Sequence, residues 1–310
     1  MELLPRVDRG FFLSLLPFAS AIFALFALLA YILLSESWPA FERFGLSLIA
    51  ENVWRPSERG LELARYGLLA PLYGTVVTSL IAAAVALPLS TATVFFMEEL
   101  APKEVREFFS SIIDLMAGLP TIIYGLWGLE VMVPLLREGL MAPLHGALGF
   151  LPPFSCDPLS GTSFLSAGLL LAIMIIPFMH GVIKEAYRQV PHTYREAALS
   201  LGATRYEYFR IMLSLIRPAV IAAVLLGLGR AASETVAVAL VVGNAFNVSP
   251  CLFAPGYTIS SLIANQFAEA SFFPLMENVM FAGSLILLTI GMALSGAGVV
   301  MMRKVRELYA

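Results

Sequence analysis

Two ionisable residues occur close together in a stretch that is otherwise apolar. Arg230 and Glu234 are four positions apart within segment 215–243, which exceeds the roughly 20 residues that a helix needs to cross hydrocarbon. A lone charge near the bilayer centre costs at least about 2.5–3.5 kcal/mol, so Arg230 needs a partner or an aqueous route. In a continuous helix, a spacing of four places both side chains on one face, one turn apart. The segment therefore predicts a charged site inside a membrane.

Arginine presents a planar fork of donors that suits a tetrahedral oxyanion. An arginine already paired with Glu234 has no spare charge, so we expect a second cation from the matching helix of a partner subunit. Glu234 can then accept a hydrogen bond from a protonated oxyanion such as hydrogen phosphate and repel fully ionised sulfate. Ser233 and Thr235 flank this glutamate and complete the predicted substrate pathway. The alternative is a purely structural ion pair, although apolar residues of similar size often stabilise a bundle as well.

The composition is that of a membrane protein rather than a soluble one. Of the 310 residues, 59% are hydrophobic and 13% are charged, whereas soluble domains carry about 25% charged residues. The mean hydropathy is +0.85. A net charge of −3 does not favour a nucleic-acid partner. The sequence contains neither a nucleotide-binding glycine loop nor zinc-type spacing of Cys and His, so we predict no catalytic residue, cofactor or metal site in this chain.

Six apolar segments each reach the length of a membrane-spanning helix. They are approximately 11–34, 68–97, 108–136, 162–186, 215–243 and 275–302. Because helices satisfy their own backbone hydrogen bonds in hydrocarbon, the prediction is an all-α integral membrane protein with six transmembrane helices. Prolines inside these segments predict kinks or breaks, and they are Pro17, Pro88, Pro120, Pro134 and Pro177. The first run is too long for a signal-peptide core, so we expect it to be retained.

The segments between the spans predict the orientation and the domains. Most of the 19 lysines and arginines fall on the side of the N-terminus, which places both termini in the cytoplasm of a multi-pass bacterial inner-membrane protein. We expect residues 1–67 to form the N-terminal tail, the first span and an outer surface segment, and residues 68–305 to form the transmembrane core. Outer loops rich in Pro and Gly are predicted at 137–161 and 244–274. Each loop holds one cysteine, Cys156 or Cys251, and a disulfide or two free thiols are both open.

A charged segment at 195–218 separates two apolar runs. Two Thr-x-x-Glu capping boxes, which begin at Thr193 and Thr204, bracket a left-handed helix stop at Gly202. These signals predict a short helix over about 193–201, a turn, and a second helix from about residue 204. A short amphipathic surface helix with aromatic residues favours a docking surface for another protein, and the alternative is a plain connecting loop. The predicted docking residues are Glu196, Ala197, Gly202, Ala203, Thr204, Arg205 and Tyr206.

This segment also carries a resemblance, over about residues 188–217. The run Glu196-Ala197-Ala198, then Gly202, Ile211-x-Leu213 and Arg217-Pro218, resembles the EAA loop of ABC importer permeases. One departure is Ser214, where that family usually has proline. The resemblance implies that the loop carries a coupling helix that sits in a cleft of the ATP-hydrolysing subunit.

A narrower resemblance covers roughly residues 66–305. The run Gly229-Arg230-Ala231-x-x-Glu234-Thr235-x-Ala237-Val238 is similar to the signature of bacterial phosphate-specific ABC permeases, in particular the C-type of the two subunits. Supporting stretches begin at Tyr73-Gly74-Thr75, Glu98-Glu99-Leu100-Ala101-Pro102 and Ala117-Gly118-Leu119-Pro120. Departures are Ser233, where the family usually has Gly, and Thr121, where it usually has Ser.

The resemblance implies a type I ABC importer permease that moves phosphate inward by alternating access. It implies four kinds of partner: a second homologous permease, two ATP-binding subunits that hold ATP and Mg, an extracytoplasmic phosphate-binding protein, and the lipid membrane. Arg230 and Glu234 match the two residues that matter for phosphate passage in that family. Rival interpretations are an importer of molybdate or sulfate, an ion-coupled secondary transporter, and a membrane enzyme such as an intramembrane protease. The last is disfavoured because no Ser/His or His/Asp constellation occurs at matching depth.

Overall fold

The computed structural model describes residues 6–57 and 62–309, which are helical almost throughout. The chain begins with α1 (Arg6–Phe44) and α2 (Ser47–Ala50), followed by the strands β1 (Trp54–Arg55) and β2 (Arg65–Tyr66). The next helices are α3 (Leu69–Phe95), α4 (Lys103–Gly118), α5 (Thr121–Trp127), α6 (Val133–Leu136) and α7 (Ala142–Leu148). The remaining ones are α8 (Phe164–Gln189), α9 (His192–Ser200), α10 (Arg205–Leu215), α11 (Arg217–Ser233), α12 (Val236–Val241), α13 (Ile259–Ala270) and α14 (Met276–Tyr309).

Several helices are extended or joined by wider π-helical turns. One such turn, Phe96–Leu100, prolongs α3. Two more, Gly128–Met132 and Arg137–Met141, join α5 to α6 and α6 to α7. A short 3-10 turn follows at Pro152–Phe154. The π turns make Thr121–Leu148 one helical body.

The described ranges contain four single helices that can cross a membrane, or up to six crossing units if each of two bent helix pairs counts as one, compared with the six apolar segments predicted. Four are single helices of sufficient length and hydropathy, namely Leu13–Phe44, Leu69–Leu100, Phe164–Gln189 and Met276–Arg303. Two are bent pairs: Lys103–Gly118 with Thr121–Leu148, at 99°, and Arg205–Leu215 with Arg217–Ser233, at 66°. The all-α membrane fold is confirmed, and so is the predicted interruption of the third span. Its bend falls at Pro120, because a proline has no N–H to continue a helix.

The other prolines disturb the helices less than predicted. Helices α1, α3 and α8 continue through Pro17, Pro88 and Pro177. Pro134 lies in the first turn of α6, directly after a π-helical turn, where its missing N–H is least costly. The helices are therefore not broken at Pro17, Pro88 or Pro177, and kinks at these three positions stay a prediction.

Helices α3, α8 and α11 pack on one another at the centre of the bundle, α14 packs along α11, and α1 packs mainly along α14. A large cluster of buried apolar side chains, which includes Leu170, Ile175 and Met179 of α8, holds this centre together. Small residues allow the close approach: a Cβ on Gly227 would lie 3.2 Å from Met179. Most apolar side chains of α1 are exposed on the chain surface, as lipid contact requires.

The two predicted outer loops are more ordered than their composition indicated. The helical body runs to Leu148, so the first half of the predicted loop 137–161 is wrong. The predicted loop 244–274 contains α13, whose start is capped by the Thr258 side chain. Cys156 and Cys251 form a disulfide with a Cα separation of 6.1 Å, which settles the choice that the sequence left open. The bond ties the segment after α7 to the segment before α13.

A small aromatic cluster packs the β-hairpin on the end of the bundle. Trp54 stacks on Phe246 with ring centroids 5.0 Å apart, and its Nε1 donates to Gln266 Oε1 at 2.8 Å. Tyr66 lies edge-on to Trp54 and is 1% exposed. Its hydroxyl has no hydrogen-bond partner within the part of the chain that the structure describes. Burial raises the pKa of Tyr66 to about 12.

Candidate functional site

The predicted charged site lies at a break between two helices. Helix α11 ends at Ser233, Glu234 is extended with φ −68° and ψ 130°, and α12 begins at Val236. The prediction that Arg230 and Glu234 share one helical face is therefore wrong, because Glu234 lies outside the helix. Within residues 6–57 and 62–309, no ion pair closer than 4.0 Å joins these two side chains.

Three hydroxyl groups hold the broken backbone. The Ser233 hydroxyl donates to the Arg230 carbonyl at 3.0 Å, and the Thr235 hydroxyl donates to the Ser233 carbonyl at 3.2 Å. The Ser260 hydroxyl, from the first turn of α13, donates to the Glu234 carbonyl at 2.6 Å. The end of a helix leaves backbone carbonyls without hydrogen-bond partners, and these three hydroxyls donate to them. Ser233 and Thr235 therefore shape the break.

Arg230 is exposed on the surface of this chain, although its neighbours Ala231 and Ala232 are buried. Tyr124 of α5 lies within electrostatic range of Arg230, and its hydroxyl donates to the Met116 carbonyl at 2.7 Å, across the bend between α4 and α5. The arginine therefore lies at the end of α11 with its side chain exposed, on the side of the break from which it acts on α5.

Close packing of α5 brings the two breaks together. A Cβ on Gly125 would lie 2.9 Å from the Ala237 Cα in α12, and a Cβ on Gly128 would lie 3.0 Å from Leu170 in α8. Real Cβ atoms are rarely so close to backbone atoms, so glycine is needed at position 125. These contacts fix α5 against α12 and thereby fix the surroundings of Arg230.

The predicted docking segment, which consists of α9, α10 and the turn between them, has the helix–turn–helix shape that the sequence indicated. Gly202 adopts φ +77°, and the Ala203 N–H donates to the Ala198 carbonyl at 3.0 Å. A second bond runs from the Gly202 N–H to the Leu199 carbonyl at 3.0 Å. This pair of bonds is the Schellman arrangement, which requires a left-handed residue at the turn.

Of the two predicted capping boxes, one is confirmed. The Thr204 hydroxyl accepts from the Glu207 N–H at 3.3 Å, and the Thr204 N–H donates to the Glu207 carboxylate at 2.7 Å. The predicted box at Thr193 is wrong, because α9 begins at His192 after Pro191 and has no side-chain cap. Proline sets the start of α9 by its own backbone angle, so Thr193 falls inside the first turn.

The docking segment presents one face to solvent and another to the bundle. Leu201 is 88% exposed and Tyr206 is 71% exposed, although both are large apolar or aromatic residues. The other predicted docking residues Glu196, Ala197, Gly202, Thr204 and Arg205 are also exposed, and Ala203 is half-buried. A hollow of about 580 Å³ opens between the turn and α10. Tyr208 is buried, and Phe209 packs on Phe95 with ring centroids 4.5 Å apart.

Sequence reasoning missed the role of an acidic pair at the end of α3, one member of which attaches the docking segment to the bundle. Glu98 and Glu99 lie in the π-helical turn that prolongs α3, and the sequence alone singled them out only within the supporting stretch Glu98-Glu99-Leu100-Ala101-Pro102. Arg188 contacts Glu98 at 2.9 Å, and Arg195 contacts Glu99 at 3.1 Å. An acidic pair at the end of one span, opposite an arginine-rich segment, was the available signal.

Comparison with known sequences gives a consistent result. Residues 95–307 match the family described as binding-protein-dependent transport system inner membrane component. A probable phosphate transport system permease protein PstC of Methanocaldococcus jannaschii is 44% identical over 306 residues, which cover 99% of this chain and 96% of that protein. A phosphate transport system permease protein PstC of Xylella fastidiosa is 43% identical over 269 residues, or 84% and 81% of the two chains. A PstC 2 of Mycobacterium tuberculosis is 34% identical over 271 residues, or 86% and 83%.

Two solved structures share the fold. The bacterial alginate ABC transporter, in complex with its pentasaccharide-bound periplasmic protein, aligns with a TM-score of 0.60 and 13% identity over 98% of both chains. The inward-facing MetNI methionine ABC transporter aligns with a TM-score of 0.53 and 16% identity over 77% of this chain and 94% of that one. At such identities the likeness concerns the fold alone. The chain belongs to the binding-protein-dependent transport system inner membrane component family and has the type I permease fold of ABC transporters.

Proposed function

We propose that this chain is the transmembrane permease subunit of an ATP-driven importer that moves inorganic phosphate inward by alternating access. The observation that carries the proposal is Arg230, a charged side chain exposed at a helix break within the membrane-spanning part of the chain. Relatives that are 34% to 44% identical are named phosphate transport permeases, which supports phosphate as the oxyanion.

The geometry of the break refines the predicted role of the two charged residues. Because no ion pair joins Arg230 to Glu234 in the described part of the chain, the guanidinium keeps its charge and all its donors for an anion. Glu234, just past the helix end, accepts a hydrogen bond from hydrogen phosphate, and its charge repels a fully ionised sulfate. Ser233 and Thr235 keep the break open through their backbone hydrogen bonds. A second cation from a partner subunit is then an addition to the site and not a requirement.

The exposed residues of the docking segment support coupling to partner subunits. In this proposal the segment α9–α10 docks on ATP-binding subunits, which bind the ATP and Mg, so this chain performs no hydrolysis. A second homologous permease covers the face around Arg230, and an extracytoplasmic phosphate-binding protein docks on the opposite side. Both termini are cytoplasmic in this proposal. Residues 68–305 form the core, and the packing of α1 mainly on α14, at the periphery, supports that division. ATP binding drives transport only if the partner contacts differ between the inward and outward states.

The test is phosphate uptake by proteoliposomes that contain both permeases, the ATP-binding subunits and the binding protein. Arg230→Gln is expected to abolish ATP-dependent uptake while the complex still assembles. Arg230→Lys is the matched control, because it keeps the positive charge but lacks the planar set of guanidinium donors. Glu234→Gln is expected to reduce the preference for phosphate over sulfate.

Three outcomes would contradict the proposal. Unchanged phosphate preference in Glu234→Gln would remove the selectivity argument. Stronger competition by molybdate or sulfate than by phosphate would identify another oxyanion. Uptake that survives ATP depletion but stops with a protonophore would identify an ion-coupled secondary transporter.

A further inference from the structure

The carboxylate of Glu99 lies at the meeting point of four helices. Its side chain is 10% exposed, although it belongs to the π-helical turn at the end of α3. The Tyr187 hydroxyl of α8 donates to Glu99 Oε1 at 2.7 Å, and the Tyr208 hydroxyl of α10 donates to the same oxygen at 3.4 Å. Arg195 Nη2 of α9 lies 3.1 Å from Glu99 Oε2. One carboxylate therefore joins the ends of two spans to both helices of the docking segment.

The neighbouring glutamate makes a simpler connection. Glu98 is equally enclosed, at 11% exposed, and its carboxylate accepts from the guanidinium of Arg188 at 2.9 Å and 3.2 Å. Arg188 belongs to the last turn of α8, so Glu98 links α3 to α8 alone. The two adjacent glutamates share residue type, burial and an arginine partner, and they differ in that only Glu99 reaches α9 and α10.

We propose that Glu99 is the positioning residue that makes the docking segment and the inner ends of α3 and α8 move as one body. This inference rests on the proposed function, in which closure of the ATP-binding subunits displaces α9 and α10. A carboxylate with so little solvent contact depends on its protein hydrogen bonds. A shift of the docking segment alone would strip Glu99 of the Arg195 and Tyr208 contacts, so α3 and α8 follow the segment.

Apolar packing of α10 separates this role from simple folding. Phe209 packs on Phe95, and Met212 is buried near the same end of α8. These contacts do not involve Glu99, so we expect the docking segment to stay attached when the carboxylate is replaced by an amide. What changes is the rigidity of the link and not its presence.

The experiment measures ATP hydrolysed per phosphate imported by the complete transporter in proteoliposomes. Glu99→Gln is expected to raise this ratio by about fivefold or more, the lower end of typical coupling between sites. Glu98→Gln is the matched control and is expected to keep a ratio near wild type. Arg195→Gln and Tyr208→Phe, which remove one docking-side contact each, are expected to raise the ratio by smaller amounts. Because both changes act through the Glu99 carboxylate, the effect of each should be non-additive with that of Glu99→Gln.

Two results would overturn the inference while leaving phosphate import in place: a wild-type ratio in Glu99→Gln, or an equal rise in Glu98→Gln. If Glu99→Gln does not assemble, the test uses Tyr208→Phe, which removes a single hydroxyl from the same cluster. A wild-type ratio of ATP hydrolysed to phosphate imported in Tyr208→Phe would then overturn the inference. If the wild-type complex imports no phosphate with ATP, the proposed function itself fails.

Discussion

The turn at Gly202 offers a direct test of how the docking segment works. The change is Gly202→Val, at a residue with φ +77° between α9 and α10. A Cβ built at this position meets no heavy atom within 4 Å, so the first atom of a side chain causes no clash. We therefore expect the effect to come from the backbone conformation, which a β-branched residue rarely adopts.

The size of the effect follows from that conformation. A left-handed backbone costs an ordinary L-residue roughly 1–2 kcal/mol, which lowers the population of the native turn by a factor of about 5–30. The two hydrogen bonds that close the turn, from the Gly202 and Ala203 N–H groups, are lost in the remaining molecules. Those molecules present α9 and α10 at a different angle to any partner.

The assay compares Gly202→Val with Gly202→Asn, because asparagine tolerates the left-handed region far better than valine. In proteoliposomes, the valine variant should hydrolyse ATP with little phosphate uptake although the chain is inserted normally. The asparagine variant should stay close to wild type. Wild-type transport by the valine variant, or equal damage from asparagine, would refute the reasoning.

Two further predictions concern the outer part of the molecule. Tyr66→Phe removes a buried hydroxyl without a partner in the described residues, so it should raise the free energy of unfolding by about 1 kcal/mol. Because burial raises the pKa of Tyr66 to about 12, the neutral form is favoured in the fold. The wild type should lose stability as the pH rises from about 10, the pKa in an unfolded chain, towards 12, and the Phe variant should lose less, because only its other tyrosines still titrate; equal pH profiles in thermal unfolding would contradict this. Reduction of Cys156–Cys251, which spans 95 residues, should lower the free energy of unfolding by about 2–4 kcal/mol, and an unchanged melting temperature in the double Ser variant would contradict it.

Local signals in the sequence were sufficient for much of the architecture. Apolar length alone located the four single spanning helices and the two bent helix pairs, because hydrocarbon admits only backbone that bonds to itself. Gly202 and the Thr204 box located the turn and the start of α10, since each signal acts through atoms within a few residues. The same local reasoning was wrong at Thr193, because Pro191, two residues earlier, is the residue after which the helix begins.

The fine structure of the charged site could not be read in the same way. Segment 215–243 is mainly apolar around its few charged residues, and nothing in its composition separates a continuous helix from a helix that ends at Ser233. The break depends on the Ser260 hydroxyl, which bonds to the Glu234 carbonyl from 26 positions away. It also depends on the packing of α12 against Gly125 in α5.

By itself, the sequence determined the membrane-embedded helical class, the places of the spans and the helix–turn–helix shape of the docking segment. Only the tertiary structure showed that Glu234 lies outside the helix that carries Arg230. It also showed that Cys156 and Cys251 form a disulfide and that Glu99 joins four helices. The Glu99 contacts reach residues 88 and 109 positions away. Such contacts are set by the packing of whole helices, and no periodicity or capping signal encodes which distant side chains that packing brings together.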